Sequence, residues 1–437
     1  MNQPAPVTHR AVLAIAVPIM LSNVTEPLIG VVDTAIIGRL PEAYYIGAVS
    51  LGALIFGFIY WGFGFLRMGT GGLSAQAKGA GDAGELDAVL IRALMIAGVC
   101  GIALVALSPL IGRLAFSLLE GSPDVEFHAW QYFTIRVWSA PFALANYCIM
   151  GWFIGQGRAK TAFVIQVWLN GANALLDIFF VLHLGMTSDG VAYGTLIAEV
   201  SAALLGLAIA SGAIRRFNAA RVFDAAKIWR TLAINRDIMI RTLCLVFAFS
   251  WFTAQGAKAG DVLLAANIVL LHFFDVAAFL IDGFAFASEA LVGQAIGAKD
   301  RPRFETSLKI TWIWIMAAGA LCAAIIIIGG PFFLDAMTVN GDIRALARGF
   351  LWWAAFAPFI GAVCFQYDGI YSGATQTADM RNMMIISLAL YLAAWWLLKP
   401  FGNHGLWAAL NIFFVARGLT FAARMSALRR SAFAQPA

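Results

Sequence analysis

Eight carboxylates lie inside long apolar runs of this sequence: Glu26, Asp33, Asp177, Glu199, Asp275, Asp282, Glu289 and Asp368. Each costs about 2.5–3.5 kcal/mol at the centre of a bilayer. Together they reach ~20 kcal/mol or more, beyond the ~5–15 kcal/mol of net stability of a typical domain. They must face protein or water, be paired or protonated, or sit near an interface, and the default reading of such a residue is functional. Glu26 and Asp33 are seven apart, on one helix face. Asn170, Asn173 and Asp177 follow i, i+3, i+7, a stripe of amides and acid able to hydrogen-bond a cation, a water or a protonated carboxyl. Asp275, Asp282 and Glu289 form an i, i+7, i+14 stripe, and Asp368 stands in Tyr367-Asp-Gly-Ile-Tyr371. Bland readings exist: Glu26 and Glu289 near an interface, Glu199 in a local polar contact, Asp275 paired with His272. Asp33 and Asp177, deep in their runs, leave least room for a structural role. A carboxyl that takes up a proton loses charge and acceptors, which releases a bound cation or bends its helix. Pro18, Pro27 and Gly30 make the first run bendable. The chemistry is exchange of protons or cations.

Other chemistry has no carrier. No Gly-x-x-x-x-Gly-Lys, His-Glu-x-x-His or Gly-x-Ser-x-Gly occurs, so neither an ATPase nor a hydrolase centre is expected. The five His are scattered without ligand spacing, and the five Cys (100, 148, 244, 322, 364) sit in apolar runs without a CxxC. No metal and no cofactor is expected. Gly79-Ala-Gly-Asp-Ala-Gly84 matches a dinucleotide fingerprint in letters only; a helix precedes it, and it reads as a tight turn.

The elements that position the acids are membrane helices. The chain has 437 residues, 61% hydrophobic and 12% charged, about half the ~25% charge of soluble domains. Runs near the ~20 residues of a spanning helix recur at about 11–37, 46–73, 88–112, 127–150, 160–184, 190–213, 238–257, 262–290, 307–330, 346–372, 382–399 and 404–425. With a cytoplasmic N-terminus, 20 of the 29 Lys and Arg fall on the cytoplasmic side. Seven fall outside (Arg39, Arg113, Arg136, Lys258, Arg344, Arg348, Lys399), and Arg67 and Arg417 lie within spans. This bias places both termini in the cytoplasm. The first run is long enough to span, so a retained helix is expected rather than a cleaved signal.

The chain repeats itself. Leu73-Ser-Ala-Gln-Ala-Lys-Gly-Ala-Gly-Asp82 aligns with Leu291-Val-Gly-Gln-Ala-Ile-Gly-Ala-Lys-Asp300 at an offset of 218 residues. Gly38, Gly151 and Gly155 meet Gly256, Gly369 and Gly373 at the same offset. The expected fold is all-α and integral to the membrane: twelve transmembrane helices in two pseudo-symmetric six-helix lobes, residues 1–214 and 242–437, joined by a cytoplasmic linker 215–241. Parallel six-helix repeats imply an axis along the membrane normal and a site between the halves, a transporter signature.

Val31-Val-Asp33-Thr-Ala-Ile-Ile-Gly38 and Phe65-Leu-Arg-Met-Gly-Thr-Gly-Gly-Leu-Ser-Ala-Gln-Ala77 resemble the multidrug and toxic compound extrusion (MATE) family. Asn235-Arg-Asp-Ile-Met239, Asp282-Gly-Phe-Ala, Met380-Arg-Asn382 and Gly402-Asn-His-Gly-Leu-Trp407 resemble its DinF-like branch. The resemblance implies a secondary active exporter of amphipathic or cationic compounds, driven by protons or sodium, with two lobes that open alternately. By it, Asp33, Asn173 and Asp177 couple transport to a proton or cation. Helical spacing adds Asn170 as polar support and Glu26, Asp282, Glu289 and Asp368 as accessory acids, Glu26 being unusual for the branch. Some relatives hold a cation in the second lobe between a seventh-span acid and a tenth-span Asp. Asp368 matches the latter, but the seventh span carries no acid beyond Asp237 at its entry, which favours protons. The alternatives are a sodium-coupled antiporter, a lipid-linked precursor flippase, and, in a different class, a channel or receptor. The expected partners are small substrates and lipid, with no nucleic acid. The expected place is the inner membrane, and two complete lobes suffice for a functional monomer.

Overall fold

The computed structural model describes residues 7–119 and 121–434, apart from the side chains of residues 26–29 and 31. All regular elements among the described residues are helical. The first half contains α1 (His9–Ile37), α2 (Tyr44–Gly62), α3 (Phe65–Gly79), α4 (Ala83–Leu118), α5 (Pro123–Arg136), α6 (Ala140–Gly155), α7 (Ala159–Asp177) and α8 (Ser188–Ile209). Two short helices follow, α9 (Ser211–Arg215) and α10 (Ala219–Val222). The second half contains α11 (Ala225–Lys258), α12 (Asp261–Gly297), α13 (Arg301–Met337), α14 (Gly341–Gly373), α15 (Thr377–Leu398) and α16 (Gly402–Ala432).

Ten stretches among the described residues are long and apolar enough to cross a membrane. Large apolar side chains such as Ile328, Leu118 and Trp396 are 82%, 73% and 70% exposed, which only lipid makes affordable over so much surface. The protein is integral to the membrane. The last stretch, Thr377–Ala432, is 56 residues long. It turns at the 3₁₀ segment Lys399–Phe401 and at Gly402, whose φ of 57° needs a residue without Cβ, and α15 packs back on α16. The backbone of α1 is helical throughout, past Pro18 and Gly30.

The basic segment expected as a linker over 215–241 is shorter as loop. Asp224 caps a helix by accepting from the Lys227 N–H at 3.2 Å, so α11 starts at Ala225 and carries Arg230, Arg236 and Arg241 on a helix. The preceding turns and the first turn of α11 are bound to the start of α4. Arg216 Nε donates to Asp87 Oδ2 at 2.7 Å, Arg221 Nη1 to Asp82 Oδ1 at 2.5 Å, and Lys227 Nζ to Glu85 Oε2 at 2.5 Å.

Residues 218 apart repeat their local roles. Asp82 caps α4 and Asp300 caps α13, each accepting from the N–H three residues on, at 3.0 and 2.9 Å. The turn before each cap has a left-handed residue, Gly81 (φ 71°) and Lys299 (φ 53°). A second matched pair of left-handed turns is Gly157 (φ 75°) and Thr375 (φ 53°). In the middle of the molecule α3 packs on α12; α6 lies against α3 and α14 against α12. Matched glycines let these backbones touch. A Cβ at Gly151 would strike the Arg67 backbone, and one at Gly369 the Ala285 backbone.

Candidate functional site

The sequence-predicted acids separate into two clusters. In the first half, Asp177 ends α7 and is fully buried. The next turn, Ile178–His183, is π-helical, a distortion common at functional positions. Gly194 of α8 makes the space, since a Cβ there would strike Asp177 Oδ1. The Asp33 carboxyl on α1 faces Asp177 closely enough to interact with it. Yet both Asp177 oxygens and Asp33 Oδ1 are buried without a hydrogen-bond donor. Asn173, one turn before Asp177, lies beside it and donates to Thr195 Oγ1 at 3.2 Å; its own Oδ1 is buried and unbonded. Asn170, two turns before Asp177, turns to the same helix α1: its Nδ2 donates to Thr25 Oγ1 at 2.6 Å. Asp275 is exposed beside His272 at 3.7 Å. The Glu26 side chain lies outside the described residues.

Spacing did not reveal the other members of this cluster. Arg136, which loop position assigns to the outer side, points into the protein from the end of α5. Its guanidinium lies 4.9 Å over the Phe56 ring, and Nη1 donates to Tyr132 Oη at 2.5 Å. It acts electrostatically on Asp33, Asp177 and Glu199 together. Glu199 on α8 is buried beside Ser139 with Oε2 unbonded, and Ser139 Oγ also meets Tyr60 Oη at 3.3 Å. Three carboxyls thus share one guanidinium.

The second cluster is balanced. Asp368 on α14 accepts from Arg417 Nη2 on α16 at 2.7 Å and from Arg241 on α11. All three side chains are almost inaccessible. Arg241, cytoplasmic by loop position, is therefore an internal counter-ion. Asp282 on α12 feels Arg67, Arg241 and Arg417. Glu289, 2% exposed, lies beside Ser372 and Arg67, and Arg67 stacks 4.5 Å over Phe286. Three acids here face three arginines. Arg67 and Arg417 were the two basic residues inside spans, a signal that sequence reasoning held without assigning a partner. No group of three or more His, Cys, Asp or Glu among the described residues is arranged to hold a metal ion.

The MatE family model matches residues 18–179 and 238–396. The chain belongs to the MatE, or MATE, family. The DNA damage-inducible protein F of Escherichia coli (strain K12) is 35% identical over 424 residues, covering 95% of this chain and 92% of that protein. This MATE chain is of the DinF-like branch. The probable multidrug resistance protein NorM of Bradyrhizobium diazoefficiens is 26% identical, over 93% of this chain and 91% of that one. Among solved structures, one described as the outward-facing conformation of a multidrug resistance MATE family transporter of the MOP superfamily matches with a TM-score of 0.85. It is 19% identical and covered over 97% of both chains. This MATE protein is a secondary active transporter of small substrates that works by alternating access, and it is not an enzyme.

Proposed function

We propose that this MATE transporter is a proton-coupled antiporter that exports amphipathic or cationic compounds, with Asp33 and Asp177 as the coupling pair and Asn173 as their polar neighbour. The observation that carries this reading is the difference in charge balance between the clusters. Ionised together, Asp33, Asp177 and Glu199 exceed Arg136 by two negative charges, whereas the three acids of the second cluster, ionised likewise, are matched in number by three arginines. A proton between Asp33 and Asp177 removes one charge and supplies the donor that their buried oxygens lack. A cationic cargo near the same acids does the first of these. The two occupants therefore compete, and competition combined with alternating access is antiport.

The second half speaks against sodium. A sodium ion takes several oxygen ligands, and in the second half Asp368 is already held by two guanidinium groups. The accessory acids Asp282, Glu289 and Asp368 then hold the halves in shape rather than exchange ions. The remaining framework follows: twelve spans in two six-helix lobes, 1–214 and 242–437, with 215–241 between them and both termini on the cytoplasmic face of the inner membrane, in a functional monomer.

The test is dye efflux from proteoliposomes with proton and sodium gradients imposed separately. Asp33→Asn and Asp177→Asn should each lower proton-driven efflux by about ten-fold or more, with no response to sodium. Sodium-driven efflux that survives Asp33→Asn overturns the assignment.

A further inference from the structure

We infer that Gln76 and Gln294 form a reciprocal gate that closes the basic end of the molecule, with Thr375 and Arg230 as its one-sided latch. The inference rests on alternating access, not on the choice of coupling ion.

The two glutamines occupy matched positions, 218 residues apart, in the repeated segments that end α3 and α12. Each reaches across to the other half. Gln76 Nε2 donates to the Gly373 carbonyl at 3.0 Å, and Gln294 Nε2 to the Gly155 carbonyl at 3.0 Å. Gly155 and Gly373 are the last residues of α6 and α14 and are themselves matched. Carbonyls at a helix C-terminus have no donor in their own helix, so each glutamine supplies a partner that only the opposite half offers. The backbones meet in the same reciprocal way. A Cβ at Gly79 would strike the Gln294 carbonyl, and one at Gly297 the Gln76 carbonyl. The contact thus has two arms related by the repeat, and both must part for this end to open.

A second, independent feature marks one arm. The first half uses Gly157 for the left-handed turn after α6, whereas the second half places Thr375 there at φ 53°. A β-branched residue in this region is strained. The strained residue carries a hydroxyl that its glycine counterpart lacks. That hydroxyl accepts from Gln76 Nε2 at 3.1 Å and from Arg230 Nη2 at 3.0 Å, and Arg230 also donates to Gln76 Oε1 at 3.1 Å. On the other arm Arg303 stands 3.5 Å from Gln294 Oε1. Arg230 is exposed and the two glutamines are half-buried, so every bond of the gate can be exchanged for one to solvent when it opens. That makes the gate reversible in each transport cycle.

The probe is a thiol in the seam. Ser74 is fully buried against Gly155, and Ser74→Cys keeps its size. Its labelling by a membrane-impermeant maleimide is followed from each membrane face, without gradient or cargo, against the parent chain with its five native cysteines. Labelling from the basic end should be slow with the gate intact. It should be at least ~10-fold faster in Gln76→Ala/Gln294→Ala, a shift of about 1.4 kcal/mol in the gate equilibrium, and faster to a lesser degree in Arg230→Ala. Thr375→Gly restores the residue of the matched turn and relieves its backbone, so it tests the latch even if the double variant fails to fold. Unchanged labelling in Thr375→Gly and Arg230→Ala overturns the latch. Unchanged labelling in a folded Gln76→Ala/Gln294→Ala, or equal acceleration from both faces, overturns the gate. Either outcome leaves the proton assignment to be decided separately by the efflux of Asp33→Asn.

Discussion

Asp368 and its two arginines show what a buried charge requires of its neighbours. Removing Arg417 leaves a carboxylate with half its compensation and an unbonded Oδ1; Arg417→Ala should destabilise the folded protein by about 3–5 kcal/mol, read as a fall in melting temperature in detergent. Asp368→Asn leaves two guanidinium groups facing each other and should also destabilise. If transport in both variants falls only in proportion to folded protein, the second cluster is structural, as its balance implies. The acids were legible in the sequence because carboxylates in apolar runs are rare and expensive. Their surroundings were not. Helical spacing grouped Asn170 with Asp177 by face, but which neighbour an amide meets is decided by packing, and Thr25 on α1 took it. Arg136 and Arg241 were sorted by loop position, which reports sidedness on average and says nothing about a long side chain that turns inward.

The helices themselves were largely visible as apolar runs, and their ends were not, because capping and corner residues are polar or small in loops and helices alike. Asp224 begins α11 well before the apolar run does. The turn after α3 and its match after α12 offer one test each. Lys299 holds φ 53° where its match is Gly81, so Lys299→Gly should stabilise by about 1 kcal/mol, measured by thermal unfolding. Asp82 accepts from the Glu85 N–H and faces Arg221, which hold its carboxyl below its ordinary value, the N–H foremost. The folded state then binds that proton less tightly than the unfolded one. The stability this gives is present above the unfolded value of about 3.9 and is lost as pH falls through the folded value. The melting temperatures of wild type and Asp82→Asn should therefore converge from about pH 7 to about pH 3; a constant difference would count against the role of Asp82.

At the scale of the whole molecule, the 218-residue repeat is visible as local backbone: caps, left-handed turns and close glycine contacts stand at matched positions in the two halves. It did not foretell charge balance, because the halves diverge in their polar side chains while sharing a backbone plan. The sidedness read from Lys and Arg makes a direct prediction: in sealed vesicles, protease should cut the Arg216–Asp224 segment from the cytoplasmic face alone. The clasp on Asp368 also bears on how the molecule is made. Arg241 precedes Asp368 by 127 residues and Arg417 follows it by 49. At 5–20 residues per second the last partner is translated roughly 2.5–10 s after the carboxylate. Until then the growing second half carries an incompletely neutralised acid. The arrival of α16 completes the neutralisation, so a nascent chain truncated before it should be recognisable to the insertion and proteolytic machinery as unfinished.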